Sequence, residues 1–432
     1  MKEQIESIRK SGRVRLASIL ERISPMRLKE YSASLWEYEP DVDMEPELLE
    51  AFDDYFYDSD WPESTMASML ENLKKNRVLQ TATHLTLTEG PTFLAVHRMA
   101  TAGLDKRVPY LVGAFSGIPF SNPAWSGCLN FSSRFQVKDV MAEGARDLRS
   151  LEKDDANRIR DGVRDARRIS LIPSKMRETL VFRAPVPSRM RDLLDQLRPS
   201  LKEMVPEHNE IFCEFALSFC QTCTRKALRR KQMWYFELNE VIATYLLQVL
   251  PKENHPIHKL LFDQHMREEL EGRLGEPITW FYCMLYDDDG SKSRFSKIYA
   301  RADKLVHENQ ESPLEVDEVI TMLDMGFFCP GVFLTFATLA FMNQFRCLGS
   351  FEQVEYLERY RQALSDMGWP KPGALDRVDT SALTTGRCLG IDGLPVYPLD
   401  SLLGLKWKPG AKKFVWDLIQ PLVPRLLGQA RG

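Results

Sequence analysis

The spacing of apolar residues predicts helices in the first part of the chain. Residues 1–35 have a helical and basic pattern, whereas residues 36–63 are acidic and rich in aromatic side chains. Beyond Pro62, apolar residues recur at positions i, i+3, i+4 and i+7, which is the stripe of an amphipathic helix. These residues are Met66, Met69, Leu70 and Leu73. We expect residues 1–75 to form an N-terminal helical and acidic segment.

The pattern then changes to strand, helix, strand. Residues 78–88 are rich in β-branched and apolar side chains, which favours a strand. Gly90-Pro91 is suited to start a helix, since proline lacks only an amide donor that the first helical turn leaves unpaired, and Gly103 is a typical end signal. The continuous apolar run RVPYLVGAF, residues 107–115, is typical of a strand covered on both faces. This order predicts two parallel strands joined by a right-handed crossover.

Helical patterns dominate the chain that follows. Residues 144–275 contain a long apolar-rich stretch that ends at Pro251 and is interpreted as helix. Together with the strand-helix-strand pattern, this predicts an α/β protein in which a Rossmann-like core, residues 76–143, is embedded in a larger, mainly helical body.

Residues 276–432 are expected to form a mixed α/β region. Asp289-Gly290 lies between two strand-like runs and predicts a β-hairpin over 278–299. The residues of Ser312-Pro313-Leu314-Glu315 favour a helix N-terminus, and Gly326 favours its end. Residues 326–345 are strongly apolar, but Pro330-Gly331 interrupts them, so they are too short for a membrane span and predict a buried helix.

Composition and charge narrow the classes of partner. The 432 residues include 57 Lys and Arg against 61 Asp and Glu, a net charge of −4. This balance gives no electrostatic footprint for nucleic acid or for an anionic membrane, so we expect a small-molecule substrate or a protein partner. Eight scattered cysteines and an N-terminus without the apolar stretch of a secretory signal predict a cytoplasmic protein.

Polar side chains follow both predicted strands of the Rossmann-like core. Because ligands of parallel α/β sheets bind at the carboxyl ends of the strands, these residues form the candidate site. His84 and Glu89 are the predicted catalytic groups: an imidazole there could act as a general acid or base, or polarise a carbonyl. The predicted substrate-binding residues are Thr81, Thr83, Thr86, Thr88, Gly90, Ser116, Ser121 and Asn122. Threonines of this kind also occur in strands for their β-propensity alone.

Other clusters have simpler interpretations. Cys220 and Cys223 have the spacing of half a metal or redox site, but they lie in a helical apolar pattern and are expected to pack in the core. No metal site is predicted from His255, His258 and His265, whose spacing is not that of a zinc helix.

No cofactor is identified by a motif. Asp287, Asp288 and Asp289 precede basic residues and could bind Mg²⁺ and a phosphate, although turn chemistry explains the same residues. The standard phosphate-binding and dinucleotide-binding loops are absent from the sequence. The cofactor is therefore left unidentified by the sequence. ATP with Mg²⁺ is considered because ligase chemistry would require it.

One local resemblance concerns Thr81, Gly90, Pro91 and the run VPYLVGAF from Val108. These positions resemble the bacillithiol-synthesis cysteine-adding enzymes, in which a strand leads into a T-G-Q-Q-x-G-x-x-G-G-P loop, a helix and a second strand beginning V-P. The likeness covers about residues 78–120. Where the family has glutamines and two of its loop glycines, this chain has Ala82, Thr83, His84 and Thr86. The resemblance implies a nucleotide-binding-like α/β core and does not extend to bacillithiol chemistry.

Two functional hypotheses follow from the sequence. The first is a biosynthetic enzyme of ligase or transferase type that joins a small amino-acid-like or carboxylate substrate to an acceptor at the strand ends. The second is a non-catalytic interaction or regulatory protein that uses the acidic aromatic segment 36–63 to bind another chain.

Overall fold

The protein has a mixed α/β fold, seen in a computed structural model. The structure describes residues 1–59, 61–84, 89–115, 128–130, 168–170, 212–286, 293–308, 310–401, 405 and 414–428. The helices are α1 Lys2–Lys10, α2 Val14–Ile23, α3 Leu28–Trp36, α4 Pro46–Tyr57, α5 Glu63–Asn76, α6 Phe93–Thr101, α7 Phe212–Leu228, α8 Leu238–Val249, α9 Pro256–Phe262, α10 Gln264–Leu274, α11 Val316–Asp324, α12 Val332–Phe336, α13 Phe351–Asp366, α14 Trp416–Ile419 and α15 Val423–Leu426. A π-helical turn, Ala337–Met342, continues α12, and the short 3₁₀ helices are Leu399–Ser401 and Gln420–Leu422.

The strands of the described residues belong to three sheets. They are β1 Val78–Gln80, β2 Tyr110–Ala114, β3 Cys128–Asn130, β4 Arg168–Ser170, β5 Met233–Glu237, β6 Phe281–Tyr286, β7 Ser293–Arg301, β8 Lys304–His307, β9 Gln310–Pro313, β10 Phe328–Pro330 and β11 Arg346–Leu348. The central sheet has the order β11-β1-β2-β5 and all its pairs are parallel. A second sheet has the order β10-β6-β7-β8-β9, and β3 pairs with β4. The central sheet takes strands from three of the four segments into which the sequence divides the chain, so these segments fold together.

The strand-helix-strand order is confirmed in the described residues, although β1 ends at Gln80 and α6 begins at Phe93, two residues after Pro91. β1 and β2 are parallel, with Gln80 opposite Val112, and α6 connects them in sequence. A further parallel bridge joins His84 to Phe115. All five residues of β2 are buried, as the continuous apolar run predicts. Gly103 lies just beyond α6, where a Cβ atom would come within 2.3 Å of the Lys29 carbonyl oxygen, so it allows α3 and α6 to approach closely.

The interpretation of the stretch ending at Pro251 as one helical region is wrong. Met233–Glu237 forms β5, which separates α7 from α8 and pairs along its whole length with β2. A short apolar run that is buried on both faces has no helical or strand periodicity to distinguish it. Arg229, with φ of 53°, interrupts the backbone between α7 and β5.

The second sheet confirms one prediction and corrects another. β6 and β7 form the antiparallel hairpin expected over 278–299, although Asp289-Gly290 at its centre lies outside the described residues. The predicted capping motif at Ser312–Glu315 is wrong, because Ser312 and Pro313 belong to β9 and pair with β8. The helix begins later, at Val316, and Gly326 follows it with φ of 72°, as its predicted end signal requires.

Two apolar clusters cover the two faces of the central sheet. Val78, Val112 and Tyr235 belong to one cluster, which also contains Cys220 and Cys223 in the core position predicted for them. Alternate residues such as Leu79, Leu111 and Phe236 belong to the other. The alternation follows from the period of two in a strand and explains why every strand of this sheet is apolar on both sides.

The second cluster also contains aromatic side chains from residues 36–63, the acidic and aromatic segment. Phe52 and Phe56 of α4 are fully buried there, while Tyr57 is 81% exposed. The apolar stretch around α12 is buried as expected. Across the residues that the structure describes, every helix falls short of the length and apolar character that crossing a bilayer requires.

Candidate functional site

The candidate site lies where β1 ends and the chain turns towards α6. Thr81 directly follows β1, and its hydroxyl donates to the carbonyl of Leu348 at 3.2 Å and accepts from Gln353 Nε2 at 2.7 Å. Gln353 lies in the first turn of α13, directly beyond β11. Gly349 makes room for this amide, since a Cβ atom there would lie 2.3 Å from the Gln353 side chain. Thr81 therefore joins two neighbouring strand ends.

Thr83 differs from Thr81 in having an unused hydroxyl. Its side chain is only 1% exposed, and the Oγ1 atom has no hydrogen-bond partner among the described residues. The Thr83 carbonyl accepts the amide of Phe115 at 2.9 Å, which fixes the residue against the carboxyl end of β2. A buried hydroxyl without a partner costs free energy, so it points to a ligand or a water at this position.

His84 continues the same edge of the sheet. It bridges to Phe115, and the two rings lie 6.2 Å apart between centroids. Burial lowers the pKa of His84 to about 4. The imidazole is therefore neutral near pH 7, where it offers one donor and one acceptor rather than a positive charge.

Glu89, just before α6, lies in a buried cluster of polar side chains. Its carboxylate accepts hydrogen bonds from His97 Nε2 at 3.0 Å, from the Tyr235 hydroxyl at 2.9 Å and from the Thr224 hydroxyl at 2.9 Å. The side chains of Glu89 and His97 have no solvent exposure. Because a carboxylate only accepts, Nε2 must carry the proton that His97 donates.

The other nitrogen of His97 extends the cluster towards β1. Nδ1 lies 3.0 Å from the hydroxyl of Tyr110, which in turn is hydrogen-bonded to the Gln80 side chain. Burial raises the pKa of Tyr110 and of Tyr235, and the charge of Glu89 raises both further, so both phenols stay protonated and can donate. Gln80 Oε1 accepts the amide of Ala82 at 2.9 Å. A continuous chain of hydrogen bonds thus runs from Glu89 back to the end of β1.

The sequence analysis missed most of this cluster. It included Glu89 but not His97, Thr224 or Tyr235. His97 occupies the α6 face turned to the sheet, and its buried position in an apolar pattern was the available signal. Thr224 and Tyr235 are 135 and 146 residues away from Glu89 in the chain, so only the tertiary fold brings them there.

Glu237 is a further carboxylate that the sequence analysis did not identify. It is the last residue of β5, is 3% exposed and lies opposite Ala114 in the register. The Tyr55 hydroxyl accepts its backbone amide at 2.9 Å. Glu237 therefore stands at the same carboxyl edge of the sheet as Thr83 and His84, and the failure to predict β5 is the reason it was missed.

The remaining predicted residues are placed as follows. Gly90 is buried, and its carbonyl accepts the amide of Phe93 at the start of α6. Five predicted residues lie outside the described residues: Thr86, Thr88, Ser116, Ser121 and Asn122. The same holds for Asp287, Asp288 and Asp289.

The three histidines considered for zinc have separate environments. His255 Nε2 lies 3.0 Å from Glu45, His258 Nδ1 lies 2.6 Å from the Leu250 carbonyl, and His265 is exposed. Within the described parts of the chain, no group of three or more His, Cys, Asp or Glu side chains is arranged to hold a metal ion.

Comparison with known proteins adds no relative. No family model, no curated protein and no solved structure matches this chain. The local resemblance to bacillithiol-synthesis enzymes therefore rests on the quoted residues alone.

Proposed function

We propose that this protein is an enzyme of ligase or transferase type, which joins a small amino-acid-like or carboxylate substrate to an acceptor at the carboxyl edge of the parallel sheet. The observation that carries the proposal is the unused, buried hydroxyl of Thr83 beside the neutral imidazole of His84. Both groups lie where parallel α/β sheets bind their ligands. A buried hydroxyl that no described residue pairs with is suited to a small polar ligand.

The order of the strands supports a Rossmann-like core. In chain order β1, β2, β5 and β11 are the first to fourth strands of the central sheet, so the spatial order reads 3-2-1-4. This is the order of the first four strands in doubly wound dinucleotide-binding folds. In such folds the ligand lies near the first strand, where the strand order reverses. Thr81, Thr83 and His84 directly follow that strand.

The sequence suggested two roles for His84, general acid-base catalysis and polarisation of a carbonyl, and its pKa favours the second. A group that titrates at about pH 4 is a weak base near neutrality, so proton abstraction is the less suitable role. A neutral imidazole can instead donate a hydrogen bond to a carbonyl oxygen and polarise it. This role fits acyl transfer from a carboxylate-derived substrate. ATP with Mg²⁺ would supply the activation in a ligase, and Glu89 would act through the buried cluster rather than on the substrate.

The interaction hypothesis receives less support. Phe52 and Phe56, two large aromatic side chains of segment 36–63, are fully buried in the protein itself. Their packing accounts for these two aromatic residues without a partner chain, whereas Tyr57 of the same segment is 81% exposed.

A thermal-shift experiment tests the enzyme proposal. The wild-type chain is screened against Mg²⁺-ATP, acetyl-CoA and the twenty amino acids. We expect at least one compound to raise the Tm, since a ligand that binds the native state stabilises it by mass action. His84→Ala should abolish the rise, and His265→Ala, which changes an exposed histidine away from the strand ends, should retain it.

Two outcomes would contradict the proposal. One is a flat panel with the wild-type chain. The other is a rise in Tm that His84→Ala and His265→Ala retain equally, because the ligand would then bind elsewhere.

A further inference from the structure

The polar cluster around Glu89 reaches both ends of the connection between β1 and α6. At one end, Gln80 Oε1 holds the Ala82 amide directly after β1. At the other end, Glu89 lies four residues before α6 begins and is held by the Thr224 hydroxyl of α7. The Tyr110 hydroxyl and the two nitrogens of His97 form the middle of the chain. The groups on which the proposed function depends, Thr83 and His84, lie between the two ends.

We propose that this hydrogen-bond chain, from Thr224 through Glu89, His97, Tyr110 and Gln80 to the Ala82 amide, is a positioning framework that fixes residues 82–84, the segment that carries Thr83 and His84. Its members are positioning residues, which act on the ligand through Thr83 and His84. The inference rests on the proposed function, because the segment needs such precise placement only if it binds a ligand.

The geometry favours one connected unit over separate local contacts. Each interior member uses two different polar atoms or hydrogen bonds, one towards each end: His97 uses Nδ1 and Nε2, and Gln80 contacts Tyr110 and the Ala82 amide. Glu89, His97 and Gln80 are at most 1% exposed, so water cannot replace a broken bond. Loss of one link leaves a buried polar atom with one partner fewer, and the effect is passed along the chain. Without Thr224, Glu89 keeps two donors, and Gln80 Nε2 also donates to Thr384 Oγ1 at 3.0 Å.

A fold without this role would not need the arrangement. A buried carboxylate with three donors, one of them a histidine, is costly to desolvate, and apolar side chains of similar volume are often equally stable in such positions. Tyr110 and Tyr235 of the polar cluster also belong to the first core cluster, which covers this face of the sheet with apolar side chains. Accurate placement of the adjoining segment is the gain that the polar residues provide.

Hydrogen exchange at the Ala82 amide tests the inference, because this amide lies at the far end of the chain from Thr224. Thr224→Val keeps the shape of the side chain but removes the hydroxyl that donates to Glu89. We expect the Ala82 amide to exchange about tenfold faster, because the buried Glu89 carboxylate loses one of its three donors and the segment opens more often. Thr224→Ser, which retains the hydroxyl, should restore slow exchange.

The matched control is Thr335→Val. Thr335 is also a fully buried helical threonine, and its hydroxyl donates to the Gly331 carbonyl at 3.0 Å, outside the framework. It should leave Ala82 exchange unchanged. The framework is overturned if Thr224→Val changes exchange only near Glu89 and leaves Ala82 as in the wild type. It is equally overturned if Thr224→Ser exchanges as fast as Thr224→Val, since packing and not the hydrogen bond would then be responsible.

The hydrogen-exchange result and the thermal-shift result test the framework and the proposed function separately. A flat thermal-shift panel with coupled exchange defeats the proposed function and leaves the framework as a purely structural link. A positive panel with no response at Ala82 supports the ligand site and defeats the framework.

Discussion

The protein contains the same three residue types, Glu, His and Tyr, joined by hydrogen bonds in two places. In the first cluster Glu89 is bonded to His97 and to Tyr235, with no solvent exposure of the carboxylate or the imidazole. In the second, Glu45 accepts from Tyr245 at 2.6 Å and lies 3.0 Å from His255, with 22% of its side chain and 11% of the histidine exposed. The first cluster adjoins the candidate site, whereas the second joins the start of α4 to α8 and α9.

The difference shows that location, more than residue identity, determines what such a cluster can do. Glu45 precedes α4, where a negative charge is favourable near the positive end of the helix dipole, and water reaches part of the cluster. Its hydrogen bonds therefore stabilise a surface connection. Glu89 has no water to replace a lost partner, so its cluster must remain fully paired. The predictions below test this contrast.

Removal of each glutamate should have the largest effect. Glu89→Ala leaves His97, Tyr235 and Thr224 without their common acceptor in the interior, and we expect a loss of at least about 3 kcal/mol in the free energy of unfolding. Glu45→Ala should cost less, about 1–2 kcal/mol, because Glu45 and His255 are partly exposed to water, although Tyr245 is fully buried. Denaturant unfolding of both variants measures the difference. Equal losses would show that burial does not separate the two clusters.

The pH dependence of stability should distinguish Glu45 in a second way. Burial raises the pKa of Glu45, but the hydrogen bonds from His255 and Tyr245 outweigh burial and hold it below the ordinary value of 4.5. A carboxyl group whose folded-state pKa is lowered contributes stability above its unfolded-state pKa and loses it as the pH falls through the folded-state pKa. We therefore expect the stability difference between wild type and Glu45→Gln to be constant near neutral pH and to shrink below about pH 4.5.

This measurement uses the difference between two proteins because other carboxylates also titrate in this range. Hydrogen bonds hold the pKa of Glu47 and of Glu358 low as well, against burial, and both residues are present in both proteins. Their contributions largely cancel in the difference. A difference that stays constant down to acid unfolding would contradict the assignment to Glu45.

The fold could be predicted from sequence wherever local patterns determine it. The period of apolar residues predicted α5, and the turn signals around α6 predicted a parallel strand pair. β5 could not be predicted, because MWYFE is a short apolar run that suits a buried helix as well as a buried strand. Its identity is decided by pairing with β2, a contact with residues more than a hundred positions earlier in the chain.

The site divides in the same way. The position of Thr83 and His84 at the end of a parallel strand could be predicted, and their role in binding a ligand stays a prediction. His97, Thr224 and Tyr235 could not, because their polar role depends on three elements that pack around one carboxylate. Whether a buried threonine has a partner is also a tertiary property: Thr83 has none among the described residues, whereas Thr81 has two.

The smallest effect on stability is expected for Thr83, at the sheet edge. We compare it with Thr224, which belongs to the Glu89 cluster. Thr83→Val replaces a hydroxyl that has no partner among the described residues. The free energy of unfolding should therefore fall by less than about 0.5 kcal/mol, or rise. Thr224→Val removes a donor from a buried carboxylate and should cost about 1–3 kcal/mol.

We expect Thr83→Val to have a large effect on ligand binding, although its effect on stability is small. If its hydroxyl is reserved for a ligand, Thr83→Val should abolish the rise in Tm that a binding compound gives to the wild type, although the unliganded variant is as stable as the wild type. Denaturant unfolding combined with the thermal-shift panel measures both quantities on the same preparation. A stability loss as large as that of Thr224→Val would mean that the Thr83 hydroxyl is already paired inside the protein, and it would then have no free group to offer a substrate.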